Sequence, residues 1–420
     1  MCVILFIRRT NNGDTLMRGV LPQLVLEHTR ACASALIDVS WFAEMPSFNE
    51  SLSRHFGRAP KPRVCYFVKE AWGPEPDLCH FFGAYSIFDV IDNDRRSGVF
   101  PGSHLFPQQM LAEKPQIDLH LVNTEYHAEY LRFMGVRAIA FPHPHSNFRV
   151  FSPPQLNLDF DRVGILVGQL VGNLPSMATL SRLAQQVCQA GMRLSLFVSE
   201  STGPRELPCP SENCPDFTCA QMSRLQGKPS LERECRRFPL LPFESKAIDK
   251  GDAELMTELL RGNSIVRQQQ GYYSWGRSSV PALAIMWPAE TPDIAFFVSN
   301  RPQTRQAWWW SHGVPTIGSA DVKSAADLGK KVGLQAFHEI RWLPEVSSAL
   351  RCIKNTPGMY ATMRARVINH SRHHETIVAS VRELVRIVYQ LHADFKGVVP
   401  KEEGSYLRHF PHKKASVKNG

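Results

Sequence analysis

The sequence predicts an α/β protein made of two successive domains, each built on a parallel β-sheet. Its 420 residues exceed what one hydrophobic core usually supports, so two domains are expected. Short apolar runs alternate with amphipathic stretches over residues 3–141, which is the pattern of strands joined by helices. The same alternation begins again at residue 163, beyond a segment that contains Pro153 and Pro154.

The first domain opens with an apolar run, a Gly-containing turn, an amphipathic stretch and a second apolar run. This order indicates two parallel strands joined by a helix. Further along, Thr124 is a residue type that favours the N-cap position of a helix, and Gly135 is one that favours the end of a helix. Strands are predicted at residues 3–8, 35–39, 63–68, 88–91, 118–122 and 138–141, and helices at residues 17–33 and 125–134.

The second domain repeats the pattern after a predicted linker at residues 147–161. An insertion at residues 200–239 interrupts it. Strands are predicted at residues 163–167, 194–198, 294–298, 315–317 and 337–343, and helices at residues 177–190, 252–261, 304–311, 344–354 and 360–393. The expected divisions are residues 1–148, residues 149–395 and a basic tail at residues 396–420.

Composition places the chain among ordinary globular proteins, with 43% hydrophobic and 21% charged residues. The net charge of +9 points to an anionic partner. Nucleic acid, an anionic membrane surface and a phosphorylated substrate are all compatible with this charge. Part of this charge lies in residues 401–418, which are interpreted as a solvated terminus. Residues 1–7 are apolar but lack a leading positive region, so they indicate a buried strand and a cytoplasmic protein.

The ten cysteines are scattered along the chain, and the expected cytoplasmic location would keep them reduced. Four of them cluster in the insertion, but without the close C-x2-C pairs of common zinc sites. The insertion is therefore interpreted as a surface segment rather than a metal site. These four are Cys209, Cys214, Cys219 and Cys235.

Ligands of open parallel sheets bind beyond the carboxyl ends of the strands, where helix N-termini offer unpaired N–H groups. This rule selects the loops at residues 9–13, 168–173 and 300–305. In the third loop, Arg301, Thr304 and Arg305 stand at a helix start and form a plausible grip for a diphosphate. Neither glycine-containing loop matches the G-x-G-x-x-G pattern of dinucleotide sites.

Residues 300–318, NRPQTRQAWWWSHGVPTIG, resemble the nucleotide-sugar-binding segment of GT-B glycosyltransferases. The Gly313-Val314-Pro315 step matches the Gly-x-Pro strand start of that family, and the closing helices agree as well. The resemblance implies two Rossmann-like domains that face a central cleft, with the donor bound by the second and the acceptor by the first. It also implies glycosyl transfer of the hexosyltransferase type.

The chain departs from the family at one important point. Many retaining GT-B enzymes carry a Glu-x7-Glu motif before the Gly-x-Pro step, and the corresponding positions here are Asn300 and Trp308. The nucleotide preference and the retaining or inverting outcome are therefore open. A non-catalytic protein that binds a nucleotide or sugar is the main alternative, and nucleic-acid binding ranks last.

The candidate site residues fall into four groups by their expected role. The catalytic candidates are His80, Asp92 and Asp94, each a potential base or charge stabiliser. The donor phosphate candidates are Gly168, Arg277, Arg301, Thr304 and Arg305, and the other donor or cleft candidates are Asn300, Trp308 and Gly313. The acceptor-side candidates are Asn12, Gly13, His143 and His145.

The expected partners follow from these groups. The donor is a nucleotide sugar, the acceptor is a glycan, a lipid or a small molecule, and peripheral membrane contact is also considered. No metal-binding motif is identified in the second half, so no metal and no other cofactor is expected.

Overall fold

A computed structural model of the chain describes two separate parallel sheets flanked by helices. The described residues are 2–8, 16–39, 45–69, 71, 75–91, 117–141, 144, 158–168, 177–198, 218–219, 280–288, 304–333 and 337–396. Within this part of the chain, the predicted fold class of two successive Rossmann-like α/β units is confirmed.

The first sheet is formed by β1 to β6 in the order β2-β1-β3-β4-β5-β6, and all neighbouring strands are parallel. Odd and even residues of β1 belong to different cores, since Val3 and Leu5 face one side and Ile4 and Phe6 the other. This is the alternation of a strand buried on both faces. The strands are β1 (Cys2–Arg8), β2 (Cys32–Asp38), β3 (Arg63–Val68), β4 (Tyr85–Val90), β5 (Leu119–Val122) and β6 (Ala138–Ala140).

The second sheet is also parallel, with the order β12-β11-β10-β7-β8-β9. Its central strand β10 was not predicted, and it contains Pro281, a residue that is rare in central strands. The structure accommodates this proline at an irregularity in the pairing with β7, between Pro281 and Leu283. The strands are β7 (Leu158–Gly168), β8 (Arg193–Val198), β9 (Thr218–Cys219), β10 (Val280–Met286), β11 (Thr316–Ser319) and β12 (Phe337–Ile340).

Helices cover both faces of each sheet. On the first sheet, α1 (Leu21–Thr29) and α10 (Ile377–Lys396) share one face, while α2 (Met45–Phe56), α3 (Glu75–Phe81) and α4 (Glu125–Phe133) share the other. On the second sheet, α5 (Met177–Gln189), α8 (Glu345–Asn355) and part of α9 (Met359–His370) pack together, opposite α6 (Thr304–Ser311) and α7 (Lys323–Val332).

The predicted single helix at residues 360–393 is wrong, because the chain forms two helices that serve different sheets. A π-helical turn, Ser371–Glu375, ends the first part, and Thr376 then has an extended backbone. The Thr376 hydroxyl caps α10 by accepting the N–H of Ala379 at 3.1 Å. As a result α9 packs on the second sheet, whereas α10 crosses back to complete the core of the first.

Other observed element boundaries also differ from the predicted ones. Residues 158–161 of the predicted linker already belong to β7, and helices α2, α3 and α7 were not predicted. The predicted helix at residues 252–261 and strand at residues 294–298 lie outside the described residues. The N-cap at Thr124 is confirmed, since its hydroxyl accepts the N–H of His127 at 3.0 Å.

The structure pairs cysteines that were expected to be reduced. Disulfides join Cys2 to Cys32 on neighbouring strands and Cys65 to Cys79 between β3 and α3, with Cα separations of 4.7 Å and 6.3 Å. Cys352 of α8 is a free, exposed thiol. Both pairs lie within the first unit, where they link adjacent elements of its core.

None of the described helices combines the length and the apolar character that crossing a bilayer requires.

Candidate functional site

The carboxyl edge of the first sheet carries buried charges. Arg8 ends β1 and Asp38 ends the neighbouring β2, and two guanidinium nitrogens of Arg8 donate to the two carboxylate oxygens, with Nη2 to Oδ2 at 2.8 Å. The Arg8 side chain is 5% exposed and that of Asp38 is 70% exposed. The pair therefore holds a cation at the end of a central strand, with its carboxylate partner facing solvent.

A second buried pair ties the ends of three strands together at the same edge. The π-helical turn Leu16–Val20 places Arg18 beneath the sheet edge, where its Nε lies 3.4 Å from Oδ2 of Asp89 in β4. Nη2 of Arg18 donates to the carbonyl oxygen of Phe141, just after β6, at 2.9 Å. The hydroxyl of Tyr66 in β3 donates to the same Asp89 carboxylate, and burial raises the pKa of Tyr66 well above its usual value.

Next to these pairs, the start of α4 is held by neutral groups. The side-chain amide of Asn123 donates to the carbonyl oxygen of Ile91 at 2.7 Å, joining the ends of β5 and β4. His127 lies in the first turn of α4, and burial lowers its pKa to about 4. Its imidazole is therefore neutral at physiological pH, so it contributes no charge to this edge.

The structure places His80 at the opposite edge from the one expected of a catalytic base. His80 is near the end of α3, and Asp118 immediately precedes β5, so both lie where strands begin. Their Nε2 and Oδ2 atoms are 2.8 Å apart, and this hydrogen bond raises the pKa of His80. The same Asp118 oxygen accepts the N–H of Ser86 at 2.7 Å. These contacts join α3, β4 and β5, and a catalytic role of His80 stays a prediction.

The remaining first-half candidates lie outside the described residues. These are Asn12, Gly13, Asp92, Asp94, His143 and His145. Their roles stay predictions.

In the second sheet, α6 lies between the parallel neighbours β10 and β11 in the chain and ends just before β11, so its first turn points toward the carboxyl edge. Thr304 begins this helix, and Arg305 follows with a half-buried side chain. Gly168 is the last residue of β7 and lies at the same edge. A helix start at this edge presents N–H groups that can hold an anion, and binding of a diphosphate by Thr304, Arg305 and Gly168 stays a prediction.

The inner side of α6 is held by hydrogen bonds between neutral groups. Nε1 of Trp310 donates to Oγ1 of Thr316 at 3.0 Å, and Nε2 of Gln306 donates to the same oxygen at 3.3 Å. Trp309 and Trp310 are both fully buried in the core between α6 and α7. These contacts fix the helix against β11 and so fix the position of its first turn.

Gly313 allows the turn after α6 to approach α9 closely. Its φ is +67°, and a Cβ atom there would lie 2.9 Å from Cδ1 of Ile368 and 3.3 Å from Nε of Arg364. Glycine is required on both counts, the left-handed backbone and the close packing. Gly313 therefore packs against α9. Its contact with a nucleotide-sugar donor stays a prediction.

The other second-half candidates are only partly described. The backbone of Trp308 belongs to α6, but its side chain is outside the description. Arg277, Asn300 and Arg301 lie outside the described residues altogether.

Beneath the end of α6, a histidine and a glutamate meet at the crossing between the two sheets. Nε2 of His370 lies 3.5 Å from Oε1 of Glu375, which is 1% exposed, and the Trp310 ring stands perpendicular to the His370 ring at 5.6 Å. Sequence reasoning did not select either residue. The contact between the Trp310 and His370 rings thus links α6 to the segment at which the chain returns to the first sheet.

The two units contact each other through α4 and α7. The Asp327 carboxylate of α7 accepts the backbone N–H of Tyr126 in the first turn of α4, and burial raises the pKa of Asp327. Each of these helices begins at the carboxyl edge of its own sheet.

Sequence reasoning missed Arg8, Arg18 and Asp89, although a signal was present. Arg8 directly follows six apolar or thiol residues of β1, and Arg18 lies within the largely apolar run 16–21. A charge inside a stretch that must be buried requires a buried partner. That requirement could have pointed to an acid on a neighbouring strand.

Among the described residues, no group of three or more His, Cys, Asp or Glu side chains is arranged to hold a metal ion.

No known protein family and no curated protein matches the chain by sequence. Solved structures do match it in fold. Anabaena HepE in complex with UDP and glucose is 8% identical, with 92% of this chain and 99% of that chain covered and a TM-score of 0.47. Staphylococcus aureus MnaA with UDP is 11% identical, with coverage of 93% and 97% and a TM-score of 0.43.

The N-terminal domain of Candida albicans trehalose-6-phosphate phosphatase is 8% identical, with coverage of 93% and 97% and a TM-score of 0.42. Likeness at this level does not assign an activity to this chain.

Proposed function

We propose that this protein transfers a sugar from a nucleotide-activated donor to an acceptor hydroxyl. The observation that carries the proposal is the contact of Asp327 in α7 with Tyr126 in α4, because each of these helices begins at the carboxyl edge of its own parallel sheet. Such edges are where ligands of open α/β sheets bind. Two of them provide separate places for a donor and an acceptor.

The donor is assigned to the second unit. Its diphosphate would lie against the first turn of α6, at Thr304 and Arg305, near Gly168 at the end of β7. Arg277 and Arg301 are proposed to add positive charge as the diphosphate leaves, in place of a metal ion. The resemblance of residues 300–318 to the donor segment of GT-B enzymes agrees with this assignment.

The acceptor is assigned to the first unit. In the reaction, the bond between the anomeric carbon and the diphosphate oxygen breaks, and the diphosphate leaves with the electron pair. The acceptor oxygen forms the new bond to that carbon, and its proton passes to a base. With His80 at the opposite edge, Asp92 and Asp94 are the proposed bases, and Asn12, Gly13, His143 and His145 are proposed to line the acceptor side.

Thermal unfolding of the full chain with a panel of nucleoside diphosphates tests the donor site. We expect at least one of UDP, GDP and ADP to raise the Tm, and the double variant Arg301→Met/Arg305→Met to remove most of that rise. Arg351→Met is the matched control, because Arg351 is exposed on α8, away from the start of α6. No shift with any diphosphate, together with no hydrolysis of any nucleotide sugar, would contradict the proposal.

A non-catalytic nucleotide-binding protein is the second candidate. The observation that favours it is the presence of Asn300 and Trp308 where retaining relatives of this fold carry glutamates. This candidate predicts a Tm rise with a diphosphate but no release of that diphosphate from any nucleotide sugar. The same panel, followed by a turnover assay, separates the two.

A further inference from the structure

The amino-terminal edge of the first sheet exposes large aromatic side chains. Phe81 at the end of α3 is 81% exposed, and Phe133 at the end of α4 is 88% exposed. Both helices lie on the same face of the sheet and end at the same edge. Phenylalanines this exposed are unusual in a globular protein, and several on one edge indicate a contact surface.

The end of α10 extends this surface from the other face of the sheet. The Phe395 ring is 53% exposed and stacks on Tyr85, the first residue of β4, with ring centroids 5.1 Å apart. The guanidinium of Arg137, just before β6, lies 5.6 Å from the centre of the same ring. We call Phe81, Phe133 and Phe395, together with the cations described next, the amino-edge surface.

Exposed cations lie at the same edge of the sheet as these rings. Arg30, Arg58 and Lys61 are exposed in the turns that precede β2 and β3, and no ion pair within the described part of the chain holds them. Of the acidic side chains near this edge, Asp118 is paired with His80 and Asp394 with Arg137, while Glu27 of α1 and Asp77 of α3 are exposed. Arg30, Arg58 and Lys61 outnumber these two exposed acids, so the net charge of the exposed groups is positive.

The sequence beyond α10 adds to this charge. The helix ends at Lys396, and residues 397–420 contain five Lys or Arg side chains against two Glu, with two His in addition. This basic segment thus joins the described chain at the amino-edge surface.

We propose that the amino-edge surface docks the protein on an anionic membrane surface. The Phe81 and Phe133 rings would enter the boundary between headgroups and acyl chains, while Arg30, Arg58 and Lys61 contact the anionic headgroups. Aromatic rings supply the hydrophobic part of such binding and cations supply the electrostatic part, and two signals together give stable attachment. The docked face is opposite the carboxyl edge of the same sheet, so that edge stays open to solvent.

Co-sedimentation of the full chain with vesicles tests this proposal without any nucleotide or turnover. We expect binding to vesicles of phosphatidylcholine mixed with phosphatidylglycerol, and little binding to phosphatidylcholine alone. The double variant Phe81→Ser/Phe133→Ser should weaken binding about tenfold or more, because two exposed rings lose their apolar contact. Arg58→Glu/Lys61→Glu should weaken it as well and should reduce its dependence on salt.

Trp342→Ser is the matched control, since Trp342 is 71% exposed just after β12 of the second sheet. It should bind vesicles as the wild type does. Absence of vesicle binding, or binding unchanged by Phe81→Ser/Phe133→Ser, would overturn the proposal. Binding to DNA that depends only on residues 397–420 would also overturn it, because the partner would then be a nucleic acid. A dimer that the Phe81→Ser/Phe133→Ser variant converts to monomers would overturn it as well, because the partner would then be a second copy of the chain.

Discussion

The two sheets are held together by different chemistry. The first carries buried cations at its carboxyl edge, where Arg8 is paired with Asp38 and Arg18 with Asp89. The second fixes α6 through neutral groups, since Trp310 and Gln306 both donate to the hydroxyl of Thr316, the first residue of β11.

The ion pairs place charge at an edge where ligands of open sheets bind, whereas the neutral hydrogen bonds hold α6 against β11 without adding charge. The proposed function assigns an acceptor to the first unit and a donor to the second.

Removing the buried cation of the first edge should have the largest effect on stability. Arg18→Met leaves the Asp89 carboxylate without its ion-pair partner in the core, and breaking a buried pair costs about 3–5 kcal/mol. Chemical denaturation measures this loss. Arg54→Met is the control, because Arg54 and Glu50 are 70% and 74% exposed and such pairs contribute about 0.5 kcal/mol or less. Equal losses in the two variants would show that the first edge does not depend on its buried charge.

The buried histidine of the same unit should make stability depend on pH. The folded pKa of His127 is about 4 and the ordinary value is 6.5, so the unfolded chain takes up a proton first as the pH falls. The stabilisation is complete above pH 6.5, and roughly 3 kcal/mol of it should be lost by pH 4.

Urea unfolding across this pH range measures the slope. His127→Gln should flatten it, and His338→Gln, at a half-buried histidine of the second sheet whose pKa burial also lowers, should flatten it less. A slope unchanged by His127→Gln would refute the assignment.

The second sheet should be most sensitive at a glycine rather than at a charge, in the turn between α6 and β11. Gly313→Ala adds a Cβ atom 2.9 Å from Ile368 at a φ of +67° and should cost about 2–4 kcal/mol. Gly191→Ala has nearly the same φ, +69°, but nothing within 4 Å, so it should cost only about 1–2 kcal/mol. The difference between the two Tm values isolates the contact between the α6 turn and α9. Similar losses would mean that close packing at Gly313 contributes nothing.

Sequence reasoning succeeded where local signals were complete. The bounds of β3 and α6 were predicted correctly, since each is a clear periodic segment between turn or cap residues. It failed for β10, where Pro281 sits in a central strand, and for α7, whose buried face is made of small residues such as Ala325 and Gly329. The crossing of α10 to the first sheet depends on contacts between residues more than 200 positions apart, such as Arg137 with Asp394, which no local pattern reveals.

The site was less predictable than the fold for a related reason. The rule for carboxyl edges located Gly168, Thr304 and Arg305 correctly at the edge, because it needs only the order of strands and helices. His80 was misplaced because α3 was not predicted, and a residue at the end of a helix lies at the opposite edge from one at the end of a strand.

Hydrogen–deuterium exchange with and without the nucleoside diphosphate that gives the largest Tm rise tests the central claim most directly. A donor site in the second unit predicts slower exchange in peptides that cover the end of β7 and the start of α6, around residues 168–177 and 300–307. Peptides of β1 and α1 in the first unit should exchange unchanged. Protection confined to the first unit, or none in either unit at saturating nucleotide, would contradict it.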